Sequence, residues 1–237
     1  MTSEEDPVVL SFHTASLRAS DLQTLAPKEW LGDGVIAFFA EVLRRRSDGP
    51  QHDVLWQPSV VELMCSLQGT EQAEAGASGM LPPVHDTMLL PVSDRYESTT
   101  DRGSGSHWSC ILVQRGDDGW HGTHFDSMAP ANDTAGEKVW QSFLAAQGKR
   151  AHGGKLSSAE VPPQENAHDC GLYVLALADE LARSNEVSST VELAKHLTPA
   201  AVADLRSRLN EWLQRWRKRG ELESWAEVQG ELGDYRK

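Results

Sequence analysis

The hydrophobic period of this chain changes twice along its length, and that change limits the fold more than any single motif does. From Gly32 the segment DGVIAFFAEVLRRR puts Val35, Ile36, Phe38, Phe39, Val42 and Leu43 on one helical face. It ends in three arginines, which suits the negative end of a helix dipole. A second helical pattern follows Pro58 with Val60, Val61, Leu63, Met64 and Leu67. In the middle third the spacing falls to that of strands: 87–92, 107–114 and 120–126 are short apolar or alternating runs bounded by turn residues. Helical spacing returns over 137–146, from Gly171 to Leu181, near 190–196 and over 200–219, with a short strand around 156–161. Helices at both ends of a central group of strands predict an α+β domain rather than alternating βαβ units.

The connections carry expectations of their own. RGDDG at 115–119 reads as a hairpin turn between two strands. SDRYESTTDRGSGS at 93–106 is too polar and too rich in glycine and serine to pack, and lies where a lid or a plain solvated loop would sit. QGTEQAEAGASG at 68–79 reads as a flexible surface loop, QGKRAHGGK at 147–155 as another loop, and SDGP at 47–50 as a turn. Ser20 or Asp21 is a candidate N-cap for the segment that follows. With 39% hydrophobic residues, the 237 residues read as one domain, with an acidic leader at 1–8 and a tail of unassigned role at 220–237.

Twenty-two basic against 35 acidic residues give a formal charge of −13, which argues against phosphate-backbone or anionic-membrane binding and favours a basic partner. The run RWRKR at 215–219 follows Val202, Leu205, Leu209, Trp212 and Trp216 at helical spacing, so its arginines read as the solvated face of an amphipathic helix. Cys65, Cys110 and Cys170 are odd in number and lack CxxC spacing, which points to a reducing compartment, cytoplasmic or nuclear. No window approaches eighteen consecutive apolar residues, and the sequon at Asn132 is then not used.

Chemistry concentrates in four places. Cys170 stands at the mouth of an aliphatic helix, where free backbone N–H groups and the dipole favour a thiolate; an inert core thiol is the plainer alternative. His107 opens one predicted strand and Asp126 closes its hairpin partner, so the two fall at the same end of the pair, in contact geometry for a carboxylate orienting an imidazole. Taken singly they also fit a surface histidine and a turn aspartate. Gln164, held extended by Pro162 and Pro163, can bring its amide beside the thiol as an oxyanion donor, or simply face solvent. Asp169 is the expected helix cap, and Gly171 the residue that lets a carbonyl approach the backbone.

Those residues, in the order His107-Trp108, Asp126, Gln164, Asn166 and Asp-Cys-Gly at 169–171, resemble the Ulp-type cysteine proteases of ubiquitin-like modifiers. Upstream, TLAPKEWLGDGVIAFFAEVL with Trp30, Leu31 and Asp33 is similar to that family's "Trp-Leu-Asn-Asp" segment followed by an aromatic helix, although Gly32 stands where the family has Asn. His168 likewise occupies a position that is often aromatic. The resemblance spans roughly 8–218 and is closest to the small deneddylase branch. It implies a papain-like fold of the Ulp type, with a central mixed or antiparallel sheet flanked by helices. It also implies Cys170 as nucleophile, His107 as base, Asp126 as orienting acid and Gln164 as oxyanion donor. Trp30 and Trp108 would line a tunnel for the modifier's terminal Gly-Gly, and Asp33 would meet a basic residue of the modifier.

The implied reaction is thiol-dependent cleavage after Gly-Gly, in deconjugation and precursor processing, without metal or cofactor. The partner is a ubiquitin-like modifier of the neddylation type with its conjugates, met by a monomer, and neither nucleic acid nor membrane. A SUMO-specific protease is the alternative within the class, and a non-catalytic modifier-binding adaptor the alternative from another class. A metallohydrolase built on His107, His121 and His124 fits poorly, because His-x-x-His on a strand sends its imidazoles to opposite faces.

Overall fold

A computed structural model describes residues 6–46, 54–97, 105–148, 154–183 and 194–235. The expected turn at 47–50, most of the leader, the centre of the 93–106 connection and most of the 190–196 helix lie outside those residues. The chain opens with a small antiparallel hairpin, β1 (Val8–Phe12) and β2 (Ala15–Arg18), of which only Val8 falls in the expected leader. Its inward residues Leu10, Phe12 and Leu17 are buried, and Phe12 meets Trp216 edge to face at 5.0 Å. A short helix α1 (Ala19–Gln23) follows; Arg18 is its N-cap and the Asp21 side chain returns to the Arg18 N–H at 2.7 Å, so neither Ser20 nor Asp21 is the cap residue itself.

The central sheet has the order β3 (Thr87–Ser93), β4 (Trp108–Gly116), β5 (Gly119–Phe125), β6 (Ser157–Ser158). The first three strands are antiparallel and β6 lies parallel to β5. Alternation along β4 sends Trp108, Cys110 and Leu112 to one face and Ile111 and Val113 to the other. Both faces are buried, which is why CILV reads as a continuous apolar run. The first face packs on α2 (Asp33–Arg46), α6 (Cys170–Arg183) and α7 (Pro199–Arg219). The second packs on α3 (Pro58–Ser66), α4 (Thr70–Ser78) and α5 (Asp133–Ala146). Helices on both sides of one mixed sheet make the predicted α+β architecture.

Three differences from expectation have physical causes. The stretch expected as a loop at 68–79 is α4: its Ala, Glu and Gln are good helix formers, and left-handed Gly79 (φ 77°) closes it. Only Ala75 is buried there, so the apolar stripe that marks a helix is almost absent. Tyr96 packs inside although its loop looked too polar, with its hydroxyl donating to the Pro58 carbonyl at 3.0 Å. The tail carries α8 (Trp225–Leu232), opened by a Ser224/Glu227 capping box.

That tail is anchored to the helix that begins at Cys170. The buried Tyr235 ring lies 5.4 Å from Trp212 and from Phe39, and its hydroxyl donates to Asp179 of α6. Arg46 at the end of α2 completes the cluster, 2.7 Å from Asp179 and 3.0 Å from the Tyr235 hydroxyl. Tyr235→Ala should therefore cost about 3 kcal/mol or more, the order found for emptied aromatic sites. The urea midpoint of the full chain, read with an unchanged m value, measures it.

Candidate active site

The β4–β5 hairpin turns through Asp117 and Asp118 alone, with Gly116 opposite Gly119 and Cys110 opposite Phe125. Continuing that register sets Asp126, just after β5, opposite Ser109, with His107, just before β4, two residues along as its diagonal neighbour on the same face. The His107 Nε2–H donates to Asp126 Oδ1 at 2.7 Å, and both side chains are buried. Asp126 is fixed from behind as well: the Met128 N–H reaches Oδ1 at 2.8 Å and the Asn132 N–H reaches Oδ2 at 3.0 Å. Burial alone would raise this carboxyl's pKa; the hydrogen bonds from His107, Met128 and Asn132 outweigh it and hold the group below the ordinary carboxylate range.

The other ring nitrogen of His107, Nδ1, is buried without a conventional hydrogen-bond partner, and its polar neighbour is the Cys170 thiol. Burial favours a neutral ring, but the bonds to Asp126 and Cys170 prevail and push the His107 pKa up to about 9. At neutral pH the ring therefore holds protons on both nitrogens, one for the carboxylate and one toward sulfur. The other two thiols have no such neighbour. Burial pushes Cys65 up to about 11 and Cys110 higher still.

Cys170 is the first residue of α6, where the Asp169 carbonyl accepts the N–H groups of Leu172 and Tyr173 at 2.8 and 3.2 Å. Gly171 is required by packing: a Cβ there would stand 2.8 Å from Leu31 Cβ and 3.3 Å from Trp108 Cδ1. The Asp169 side chain does not cap the helix. It accepts from Arg206 Nε at 2.9 Å and from Asn166 Nδ2 at 2.8 Å, because a guanidinium buried on α7 has stronger need of a carboxylate than a helix end does. Arg206 also donates to the carbonyls of Thr24, Ala26 and His168 at 2.9 to 3.1 Å, tying the 24–26 segment and α7 to the base of α6.

Gln164 is held on both sides. Its Oε1 accepts from the Ser127 hydroxyl at 2.7 Å, its Nε2 donates one hydrogen to the Asn166 carbonyl at 2.6 Å, and its backbone N–H reaches the Ser127 carbonyl at 3.0 Å. The segment from Asp126 to Ser127 thus positions His107 through one residue and Gln164 through the next. Asn166 accepts the N–H groups of His168 and Asp169, both at 3.0 Å, which turns the chain into α6.

Trp108 is buried, its indole N–H donating to the Leu31 carbonyl at 3.0 Å, whereas neighbouring Trp30 is 50% exposed. The Trp108 indole is thus tied to the residue that follows Trp30. Asp33, expected to be free for a modifier's cation, is ion-paired with Arg95 of this same chain. Sequence reasoning also missed the support behind Asp126: Asn132 Nδ2 donates to Ser109 Oγ at 2.9 Å, and that hydroxyl lies 2.9 Å from Nε2 of buried His124. Half-exposed His121 instead pairs with Asp118, so His121 and His124 do not converge. Among the described residues no group of three or more His, Cys, Asp or Glu could hold a metal ion.

Comparison with known proteins bears on this geometry. The family described as "Ulp1 protease family, C-terminal catalytic domain" matches residues 86–216. Sentrin-specific protease 8 of Homo sapiens is 28% identical over 211 residues, covering 87% of this chain and 95% of that one. NEDD8-specific protease 1 of Arabidopsis thaliana is 24% identical over 227 residues, covering 89% and 97%. Among solved structures, the Ulp1 protease domain in complex with Smt3, the yeast ortholog of SUMO, superposes with a TM-score of 0.54 at 18% identity, over 86% of this chain and 89% of that one. A de-sumoylating protease gives 0.58 at 15% identity, over 86% of each. Both share the fold described above.

The raised His107 pKa is testable directly. Its ring resonances should titrate near pH 9 by NMR, and Asp126→Asn should move the midpoint down. The linkage has a definite sign. A folded pKa above the ordinary 6.5 adds stability that is complete below that value and is lost as pH rises through about 9. The pH dependence of Tm between those values should accordingly flatten in His107→Gln.

Proposed function

The chain belongs to the Ulp1 protease family of cysteine-type peptidases, and from that premise we propose that it is a deneddylating isopeptidase and processing protease. The observation that carries the reading is His107 standing between the Asp126 carboxylate and the Cys170 thiol. The deneddylating preference is supported by the relative named NEDD8-specific protease 1, which aligns over nearly its whole length. The acidic balance of the chain suits a modifier with a basic face. Three thiols without a disulfide suit action in the cytoplasm or nucleus.

In this reading the Cys170 sulfur attacks the carbonyl carbon of the modifier's terminal glycine. The tetrahedral oxyanion takes the backbone N–H at the start of α6 and the second amide hydrogen of Gln164, the first being engaged by Asn166. As the C–N bond breaks, His107 gives its Nδ1 proton to the departing lysine amine, leaving a thioester on Cys170 and a neutral ring. Water then attacks the thioester, His107 takes the water's proton, and sulfur leaves. Asp126 holds the imidazole in register throughout and stabilises the imidazolium.

Propargyl-tipped modifiers test the reading. The NEDD8 probe should form a covalent adduct at Cys170, and Cys170→Ala should abolish turnover while modifier affinity is retained. Absence of an adduct with NEDD8, SUMO and ubiquitin probes alike would overturn the proposal, and labelling by the SUMO probe alone would move the preference. Gln164→Ala should lower kcat by about 10²-fold, the order of one lost oxyanion donor, with a smaller change in KM.

A further inference from the structure

Arg95 is not placed as a surface arginine. It lies in the 3₁₀ turn Asp94–Glu97 that follows β3, and its side chain is only 17% exposed. The guanidinium forms an ion pair with Asp33, the first residue of α2, and stands 3.3 Å from Glu62 of α3. It also lies over two aromatic rings, 5.4 Å from the Tyr96 centroid and 5.8 Å from the Trp108 ring. Two carboxylates on different helices and two aromatic faces therefore hold one cation in place. Asp33 and Glu62 each remain about half exposed, so the cluster opens to solvent beside Trp108. Leu31, which receives the Trp108 indole N–H, also packs against Gly171, the neighbour of Cys170.

We propose that Arg95 is a specificity-determining residue: as a built-in cation it occupies the Asp33 carboxylate, and so turns this subsite against substrate tails that carry Arg or Lys at the position facing Asp33. The inference rests on the reading that a modifier tail runs past Trp108 to Cys170. A cationic tail residue would have to part Asp33 from Arg95 and then lie within Coulomb reach of the displaced guanidinium. A neutral residue meets neither obstacle. Like-charge placement of this kind selects by repelling the wrong partner rather than by improving the right one. Glu62 keeps Arg95 from being a free positive charge, so the discrimination is graded rather than absolute.

The test uses the full chain and NEDD8-aminocoumarin substrates in which Arg or Ala replaces each residue before the terminal glycines in turn. For each enzyme the readout is the Arg-to-Ala ratio of kcat/KM at each position. Arg95→Met should raise that ratio at one position by roughly 1.5- to fivefold, the span expected for a partly exposed ion pair. Arg95→Lys should hold the ratio near the wild-type value, and the effect of Arg95→Met should vanish in an Asp33→Asn background. Should the methionine variant fail to fold, Arg95→Gln removes the charge while keeping a hydrogen-bond donor. A ratio that moves at no position, or moves equally with Asp33→Asn present, overturns the role of Arg95. If the wild-type chain cleaves none of the Gly-Gly substrates, the functional reading itself fails and this inference falls with it.

Discussion

The register of one hairpin decides where His107 meets its carboxylate. Because Asp117 and Asp118 alone join β4 to β5, the hairpin pairs Gly116 with Gly119, and every later pair follows. A slip of one residue would reverse which side chains of β4 face α6 and which face α5. With both faces buried, neither reversal is tolerated, so the apolar packing of Cys110, Leu112, Ile111 and Val113 fixes the register more firmly than the turn could. The bond from His107 to Asp126 is thus a by-product of sheet packing. The site needs no separate folding event on that side.

The sulfur comes from elsewhere in the chain and is brought up by a different kind of constraint. α6 is apolar on most of its circumference, and apolar contacts by themselves would let it slide along its own axis. Polar contacts remove that freedom at each end. Arg206 is buried and needs its carboxylate, which pins Asp169 and with it the first turn of α6. Asp179, near the other end, is buried and held by Arg46 and Tyr235. Buried charges are poor sources of net stability, yet they tolerate little displacement, since separating the partners leaves an uncompensated charge in the interior. Fixing a helix so that its first sulfur lies opposite an imidazole is a use to which that intolerance is suited.

Much of this was legible in the sequence because it leaves a local period. The faces of α2 and α7, the strands β3 to β5, the hairpin turn and the pairing of His107 with Asp126 all follow from spacing within a few residues. What was not legible depends on distant partners or on weak local signal. β1 and β2 alternate visibly in Val8, Leu10 and Phe12, but their buried residues are few and their partner Trp216 lies at the far end of the chain. α4 buries one alanine and so shows no stripe. Arg95 finds Asp33 across 62 residues, and no periodicity encodes such a pair. Asn132 looked like an unused sequon, yet its side chain is wholly buried between Ser109 and the strand carbonyls. Only a requirement for satisfied polar groups inside a core would have singled it out.

Burial by itself does not distinguish the three thiols, since all of them are buried. What separates them is the polar neighbour. Cys110 shares the first face of the sheet with Cys170, but its electrostatic neighbour is the Asp126 carboxylate, and that negative charge adds to burial in keeping the proton on sulfur. Cys170 faces the same carboxylate through an intervening imidazole that holds an extra proton at neutral pH. The same carboxylate therefore meets one thiol directly and the other only through a histidine. The support behind Asp126, from Met128, Asn132, Ser109 and His124, then has a chemical meaning. It keeps the carboxylate turned toward the ring.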